Sequence, residues 1–201
     1  MGNQVEIICK NNGKTLLVDE GTALIDIYKT AGVELPYQVL CAQVNNRTRD
    51  LSYRVYQPKQ IMFSDASHIM GMRMYVRSLC FVLYKAVTEL FPGTRLRIEH
   101  SVSNGYFCCL NQREEIPHDT VELLKERMRD IIRRDLPFER IQSTAEVAAG
   151  HFREQDMCDK IDLIETLHPL YATYYKLGNL YDVYYDSRVC STLRKGDAMF
   201  L

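Results

Sequence analysis

The sequence lacks several features that would assign it directly to a class of protein. No apolar run approaches the ~20 residues needed to cross a bilayer, and the N-terminus, MGNQVEIICKNNGK, has no apolar core of a signal peptide. An excess of charge is also missing, since 25 Lys and Arg face 26 Asp and Glu. Net charge therefore does not indicate a nucleic acid, a membrane or an acidic substrate as partner.

The cysteines lack the spacing of a metal or disulfide site. The seven cysteines include no CxxC pair, and most lie in apolar runs such as IICK, SLCFVL and YFCCL. An odd number of thiols in such positions is typical of reduced, buried side chains in a cytoplasmic protein. Cys108 and Cys109 are adjacent, so on a strand they point to opposite faces and cannot easily share one ion.

The first 64 residues predict a small domain in which strands surround one helix. GTALIDIYKTAG has apolar residues at helical spacing, with Thr22 as the expected N-cap and Gly32 as the stop. NNRTRD, residues 45–50, is expected to be a polar loop, which could be either a solvated turn or a contact site for RNA or a partner domain. Segments of strand length lie on both sides of the helix, namely QVEIICK and KTLLVD around an NNG turn, then YQVLCAQVNN and QIMFSD.

Residues 65–201 predict a second α+β region. A hairpin is expected around Asn104-Gly105, and Asp119 with Glu122 resembles the capping box of a later helix, as does Ser143 with Glu146. YYKLGNLYDVYYD and DAMFL have strand patterns, and because the chain stops inside the second we expect a piece of a longer protein. A long helix ending before Pro92 has an apolar face expected to comprise Val76, Leu79, Cys80, Leu83, Val87 and Leu90.

These segments resemble two known kinds of domain. Residues 4–64 resemble a TGS domain, which has a β-grasp (ubiquitin-like) fold. Residues 70–201 resemble the editing domain shared by threonyl- and alanyl-tRNA synthetases. The second resemblance rests on LYKAVTELFP, RIEHSVSNGYF and ELLKERMRDIIRRDLPFERIQSTAEVAAGHF. The implied fold class is α+β, with a TGS domain at 1–64 followed by an editing-like domain at 65–201.

The editing resemblance implies a site whose defining side chains are missing from this chain. In that family, an HxxxH pair and a later Cys–His pair surround the place where a wrong amino acid is hydrolysed from tRNA. Alignment on the LFP and ST segments puts the first pair at Arg77 and Phe81 and the second at Tyr184 and Arg188. Zinc needs thiolate, imidazole or carboxylate donors, so we expect neither a metal nor a catalytic residue here.

The combination of domains also resembles the N-terminal half of bacterial uridine kinase-like nucleoside kinases, on MYVRSLCFVLYKAV and RIEHSVSNGYF. This resemblance implies that a C-terminal P-loop domain of the parent protein phosphorylates a nucleoside with ATP and magnesium. No GxxxxGK[ST] occurs between Met1 and Leu201. We therefore expect a non-catalytic regulatory or binding region without its own cofactor, whose partner is that kinase domain, and no membrane partner.

Five residues are candidate contacts for a ligand, namely Arg77, His100, Asn104, Tyr184 and Arg188. His100 could contact a base, ribose or phosphate, or could be a strand histidine with a local hydrogen bond. Arg77 and Arg188 could together bind an anion, or each could pair with a nearby acid. The ligand would be an anion, a nucleoside or nucleotide, or tRNA. The alternative function is a tRNA-binding or tRNA-deacylating module related to threonyl-tRNA synthetase, with His100 as the base.

Overall fold

The chain has a mixed α+β fold, as expected. The computed structural model describes residues 3–103, 105–110 and 116–183, and these ranges contain twelve strands and five helices. They form two compact units, comprising residues 3–78 and 79–183. The division between these units falls inside the long helix Ile69–Leu90. Within the described ranges, no helix is long and apolar enough to span a bilayer.

The first unit is a mixed five-stranded sheet with one helix against one face. The strand order is β2-β1-β7-β4-β5, in which β1 and β7 run parallel and the other neighbours antiparallel. The short strands β3 and β6 pair separately. The elements are β1 Gln4–Cys9, β2 Thr15–Asp19, β3 Thr22–Ala23, α1 Leu24–Ala31, β4 Cys41–Val44, β5 Arg47–Arg49, β6 Arg54–Val55, β7 Lys59–Ser64 and the start of α2, Ile69–Leu90.

The core of this unit is formed by every second side chain of its strands and by the side chains on one face of α1. Val5, Ile7 and Cys9 of β1 are buried, while the residues between them are exposed, because successive strand side chains point to opposite faces. α1 contributes Leu24, Ile27 and Ala31 to the same core. Gly32 ends the helix in the left-handed conformation, φ 63°, as the sequence predicts.

Two local predictions for this unit are wrong. NNRTRD is not a loop, because Asn45 and Asn46 have φ of 46° and 66° and turn the chain into β5, which pairs with β4. Such positive φ values suit a tight hairpin turn. Thr22 does not cap α1 either. Its hydroxyl donates to the Asp19 carbonyl at 2.6 Å, and the N-cap is Ala23, without a side-chain hydrogen bond.

The second unit contains a three-stranded antiparallel sheet, ordered β10-β11-β12, and a separate hairpin. Helix α4 packs on the sheet through a core of Ala148, Phe152, Met157 and Tyr174. The expected hairpin is confirmed as β8–β9, with a bulge between Ile98 and Ser101. The elements after α2 are β8 Leu96–Val102, β9 Gly105–Leu110, α3 His118–Arg133, β10 Phe138–Thr144, α4 Ala145–Glu154, α5 Cys158–Leu167, β11 Tyr171–Leu177 and β12 Leu180–Asp182.

Helix starts in this unit differ from the predicted capping boxes. α3 begins at His118 after Pro117, so Asp119 lies inside the first turn instead of capping it. Thr144 is the N-cap position of α4, and the Ser143 hydroxyl donates to the Thr144 carbonyl. The strand expected at DAMFL lies outside the described residues.

The buried face of α2 is not the predicted apolar stripe, whose members at Val76, Leu79, Cys80, Leu83 and Leu90 are only partly buried. The most buried positions include two polar residues, Ser78 and Lys85. Ser78 satisfies its hydroxyl within the helix, donating to the Met74 carbonyl at 2.9 Å. Apolar periodicity alone therefore predicted the wrong face of this helix to be buried. The buried residues are Gly71, Met74, Ser78, Phe81, Val82, Lys85, Ala86 and Val87, of which Val87 also belongs to the predicted stripe.

Asp65 links the end of β7 to the start of α2. Only 1% of Asp65 is exposed, and its carboxylate accepts hydrogen bonds from the Tyr37 amide at 2.8 Å and from the Ser67 amide and hydroxyl. Burial alone would raise the pKa of Asp65, but the hydrogen bonds from Ser67 and Tyr37 lower the pKa below its ordinary 3.8. The folded unit therefore favours the ionised carboxylate.

The same residue fixes the first turn of α2 through its backbone. A Cβ on Gly71 would lie 1.9 Å from the Asp65 carbonyl oxygen, so only a residue without a side chain fits. The His68 amide donates to that carbonyl, and the Met70 amide donates to His68 Nδ1 at 3.3 Å. Close backbone approach, rather than a positive φ, is the reason for glycine here.

We predict that Gly71→Ala destabilises the protein by about 2–3 kcal/mol, because the added carbon forces the helix away from Asp65. Gly150→Ala in α4 is the matched control. Nothing lies within 4 Å of its Cβ position, so gaining a better helix former should stabilise the protein by about 0.5–1 kcal/mol. Urea unfolding followed by circular dichroism measures both. Equal stabilities for the two variants would contradict the close approach.

We also predict that Asp65 contributes to acid sensitivity. Since its folded pKa lies below 3.8, its contribution is fully present above that value and is lost as the pH falls through the folded pKa. Asp65→Asn should lower the free energy of unfolding at neutral pH and flatten its decline as the pH falls below about 4. Urea titrations across this range test the prediction, which fails if the variant and the wild type lose stability in parallel.

Candidate functional site

Phe81 occupies a position where the editing resemblance expects a histidine. Its side chain is 0% exposed, and its ring lies 5.9 Å from that of Phe138 on β10, at an interplanar angle of 30°. An imidazole at this position would lie beside the Phe138 ring and be closed off from solvent. Phe81 thus forms a buried contact between a helix and a sheet at the position where the resemblance implies an imidazole.

The other candidate residues that the structure describes are less buried than Phe81. Arg77 is half-buried, and its Nε donates to the Arg73 carbonyl one turn earlier, at 3.2 Å. His100 is exposed on β8, where its ring stacks on Phe107 with 5.6 Å between centroids. The two residues belong to different units. Asn104, Tyr184 and Arg188 lie outside the described residues.

A charged network inside the second unit was not predicted from the sequence. Lys85 is 3% exposed, and its Nζ lies 3.0 Å from Glu89 Oε1 and 2.8 Å from the side-chain oxygen of Asn179. Arg127 of α3 contacts the other Glu89 oxygen at 2.6 Å. Burial opposes the ionisation of Glu89, but hydrogen bonds and charge from Lys85 and Arg127 lower its pKa. The spacing of four between Lys85 and Glu89 was the only sequence signal.

A second polar cluster joins α2, α5 and β12. Asp182 is buried, and its carboxylate lies 3.6 Å from Lys160 Nζ and accepts the Val183 amide at 2.7 Å. Burial, followed by the negative charges of Asp182 and Asp159, raises the pKa of Tyr84 to about 12. Tyr84 therefore stays protonated at neutral pH and is a hydrogen-bond donor rather than a base.

The described cysteines are only partly as buried as expected, since Cys9, Cys41 and Cys109 are buried whereas Cys158 is exposed. Cys109 is buried and Cys108 half-buried on β9, and the Cys108 thiol donates to the Tyr106 carbonyl at 3.6 Å. Burial raises the pKa of Cys108, as does the neighbouring Cys109. Within the described ranges, no three His, Cys, Asp or Glu side chains come together in an arrangement that could hold a metal ion.

One depression lies along the exposed face of α3, with a volume of about 510 Å³. Its charges are mixed, and two of its members are already paired, Glu122 with Lys125 at 2.9 Å and Arg133 with Asp130 at 2.7 Å. This favours a solvated face over a ligand site. Its lining residues are Asp119, Glu122, Leu123, Glu126, Arg129 and Arg133.

The chain is similar to threonine–tRNA ligases over most of its length. It is 29% identical to the threonine–tRNA ligase of Desulforamulus reducens over 175 residues, which is 87% of this chain and 28% of the ligase. The enzyme of Rubrobacter xylanophilus is 29% identical over 185 residues, covering 92% of this chain and 29% of the ligase. This chain therefore spans less than a third of the relatives it matches. No protein-family model matches it.

The assignment to a nucleoside kinase is wrong, because the relatives found are threonine–tRNA ligases. A match over 185 of 201 residues includes both MYVRSLCFVLYKAV and RIEHSVSNGYF, the segments that carried the kinase resemblance. They belong to helix α2 and to the β8–β9 hairpin. The kinase domain as partner is therefore unsupported, and the expectation of ATP and magnesium loses its basis.

We predict that Lys85→Met destabilises the protein by about 2–3 kcal/mol, because it leaves Asn179 and one oxygen of the partly buried Glu89 without their cation. Lys29→Gln is the control, since Lys29 pairs with Asp26 at 2.9 Å on an exposed surface, where such pairs contribute about 0–1 kcal/mol. Urea unfolding distinguishes the two. A decrease below about 0.5 kcal/mol for Lys85→Met would show that the network is not stabilising.

Proposed function

We propose that this chain is a tRNA-binding module related to threonyl-tRNA synthetases, and that it binds tRNA without deacylating it. The similarity to threonine–tRNA ligases over 87–92% of the chain supports the tRNA partner. The burial of Phe81 against Phe138, where the family resemblance expects an imidazole, carries the claim that hydrolysis is absent.

Under this proposal the first unit is a TGS-like β-grasp domain, and the remainder is an editing-like domain. The support for a β-grasp is a mixed sheet ordered β2-β1-β7-β4-β5, in which one helix covers one face. The support for the editing-like domain is the long helix followed by the β8–β9 hairpin, the segments on which the resemblance rests.

A hydrolytic role for His100 has little structural support. A general base works best when a second group orients its ring and stabilises the proton it takes up. Among the described residues, His100 has one ring contact, the stack with Phe107, and no hydrogen-bond partner. We therefore assign His100 and Arg77 as candidate contacts for tRNA rather than catalytic groups. Asn104, Tyr184 and Arg188 belong to the same proposal as candidates outside the described residues.

The experiment is to mix the full chain with tRNA charged with radioactive threonine or alanine. Filter binding at low salt should give a Kd in the micromolar range, about 1–100 µM, that weakens as salt rises, because phosphate contacts release counterions. Release of the amino acid should be no faster than in buffer alone. His100→Ala should leave the rate of release unchanged.

Two results would overturn the proposal. Absence of binding at about 50 mM salt, where phosphate contacts are strongly favoured, would remove tRNA as the partner. Accelerated release that His100→Ala abolishes would make the chain a deacylase and assign His100 as its base.

A further inference from the structure

The two outer strands of the sheet in the first unit differ in how their free sides are protected. In the order β2-β1-β7-β4-β5, the edges are β2 and β5, and among the described residues no further strand pairs with either. β5 has only three residues, two of them arginines, and short length and charge are common means of preventing unwanted pairing. β2 has five residues with the sequence TLLVD, and it contains neither proline nor a basic residue. The edge at β2 therefore lacks the protection that β5 has.

The hydrogen bonds of the β1–β2 hairpin show which backbone groups of β2 point away from β1. The Cys9 amide donates to the Lys14 carbonyl at 2.8 Å, and the Glu20 amide donates to the Asn3 carbonyl at 2.9 Å. Hydrogen-bonded and non-hydrogen-bonded pairs alternate along an antiparallel ladder, so the even-numbered residues from 14 to 20 face β1 with their backbone groups. The residues whose backbone groups face the free side are Thr15, Leu17 and Asp19.

Leu17 is the central residue of this free side. Its side chain is 67% exposed, whereas Leu16 and Val18 pack against the core that includes α1. Leu17 therefore lies on the face of the sheet away from α1. Within the described ranges, the backbone groups of Thr15 and Leu17 have no hydrogen-bond partner on the free side. Such a strand can pair with another extended segment through its backbone.

The charges at the ends of β2 complement each other when two copies of the strand run antiparallel. Lys14 precedes the strand and Glu20 follows it, and both are exposed. When Leu17 lies opposite Leu17 of a second copy, Lys14 of each copy lies opposite Glu20 of the other. Opposite charges at directly facing positions stabilise a strand pair. The strand is therefore complementary to itself in this register, as a two-fold symmetric contact requires.

Neighbouring registers with the same alternation of hydrogen bonds lose this match. If the two-fold axis passes through Leu16, Lys14 lies opposite Val18. If it passes through Val18, Glu20 lies opposite Leu16. Both arrangements place a charged residue opposite an apolar one and leave part of the strand unpaired. The charges thus favour the register centred on Leu17, and they favour a second copy of this chain as the occupant.

The register centred on Leu17 also pairs the free backbone groups. The two Leu17 residues exchange two hydrogen bonds, and Thr15 exchanges two with Asp19 at each end. The Asp19 carbonyl already accepts the Thr22 hydroxyl at 2.6 Å, but a carbonyl oxygen has a second lone pair for the Thr15 amide. The exposed Leu17 side chains then meet each other on the outer face of the sheet.

We propose that β2 is a dimerisation edge, at which two copies of this chain pair antiparallel about a two-fold axis through Leu17. The pairing joins the two five-stranded sheets across the interface. It does not depend on tRNA binding, because it rests on the strand alone. A contact between two short strands is smaller than a standard interface, so the expected Kd of the dimer is about 1–100 µM.

The first test is the mass of the full chain by light scattering and sedimentation equilibrium, from about 2 µM to about 1 mM. The average mass should rise from one copy to two across this range. Leu17→Lys should raise the Kd about 10-fold or more, because two ammonium groups then face each other at the axis. Leu167→Lys is the matched control, since Leu167 is a leucine with a similar exposure, 62%, in the other unit. Its Kd should equal that of the wild type.

A charge exchange tests the register. Lys14→Glu or Glu20→Lys alone places like charges opposite each other at both ends of the pair and should raise the Kd about 3–10-fold. The double variant Lys14→Glu/Glu20→Lys restores opposite charges and should return the Kd to within about 3-fold of wild type. Lys10→Glu, at an exposed lysine of the same hairpin but outside the paired segment, is the control for net charge. Urea unfolding verifies that each variant is folded.

Four outcomes would overturn the inference. A chain that stays monomeric throughout the range does not use β2 in this way. A dimer that Leu17→Lys leaves unchanged forms through another surface, and a double variant as weak as the single ones contradicts the register. Amide exchange adds the fourth test, because the Thr15 and Leu17 amides should be protected only where the dimer is populated. Protection in the monomer would mean that another segment of the chain covers the edge.

Discussion

The arrangement of the first unit depends on the buried, ionised carboxylate of Asp65. A charge in a protein interior is tolerated only where fixed donors replace water, and here the donors come from Tyr37 and Ser67. The backbone of the same residue lies against Gly71. The loop at Tyr37, the end of β7 and the start of α2 therefore fix one another's positions. None of the three can shift without removing a hydrogen-bond donor from the carboxylate.

The sequence predicted those elements that are determined by residues close to one another in the chain. The β1–β2 hairpin, the stop of α1 at Gly32 and the β8–β9 hairpin follow from turn residues and short-range periodicity. β5 could not be recognised in this way, because its sequence, Arg-Thr-Arg, is polar and becomes a strand only by pairing with β4. Helix starts were misplaced because no side chain caps α1, α3 or α4.

The sequence alone predicts which residue types stand at the candidate site. It does not predict their contacts with residues that are far away in the chain. The absence of histidine at Arg77 and Phe81 is visible in the sequence, whereas the contact of Phe81 with Phe138 requires the fold. In the sequence, Lys85 has the pattern of a surface residue. Only the fold brings Asn179, far away in the chain, into contact with it. The kinase assignment failed because the relatives that match these segments are threonine–tRNA ligases.

The enclosure of Lys85 also affects its chemical reactivity. An amine reacts with an acylating reagent only when the reagent can reach it, and Glu89 and Asn179 leave little of Lys85 accessible. Lys29, exposed at the surface of the other unit, has no such protection. Slow acylation of Lys85 would therefore report how often the second unit opens, in the way that amide exchange reports local unfolding.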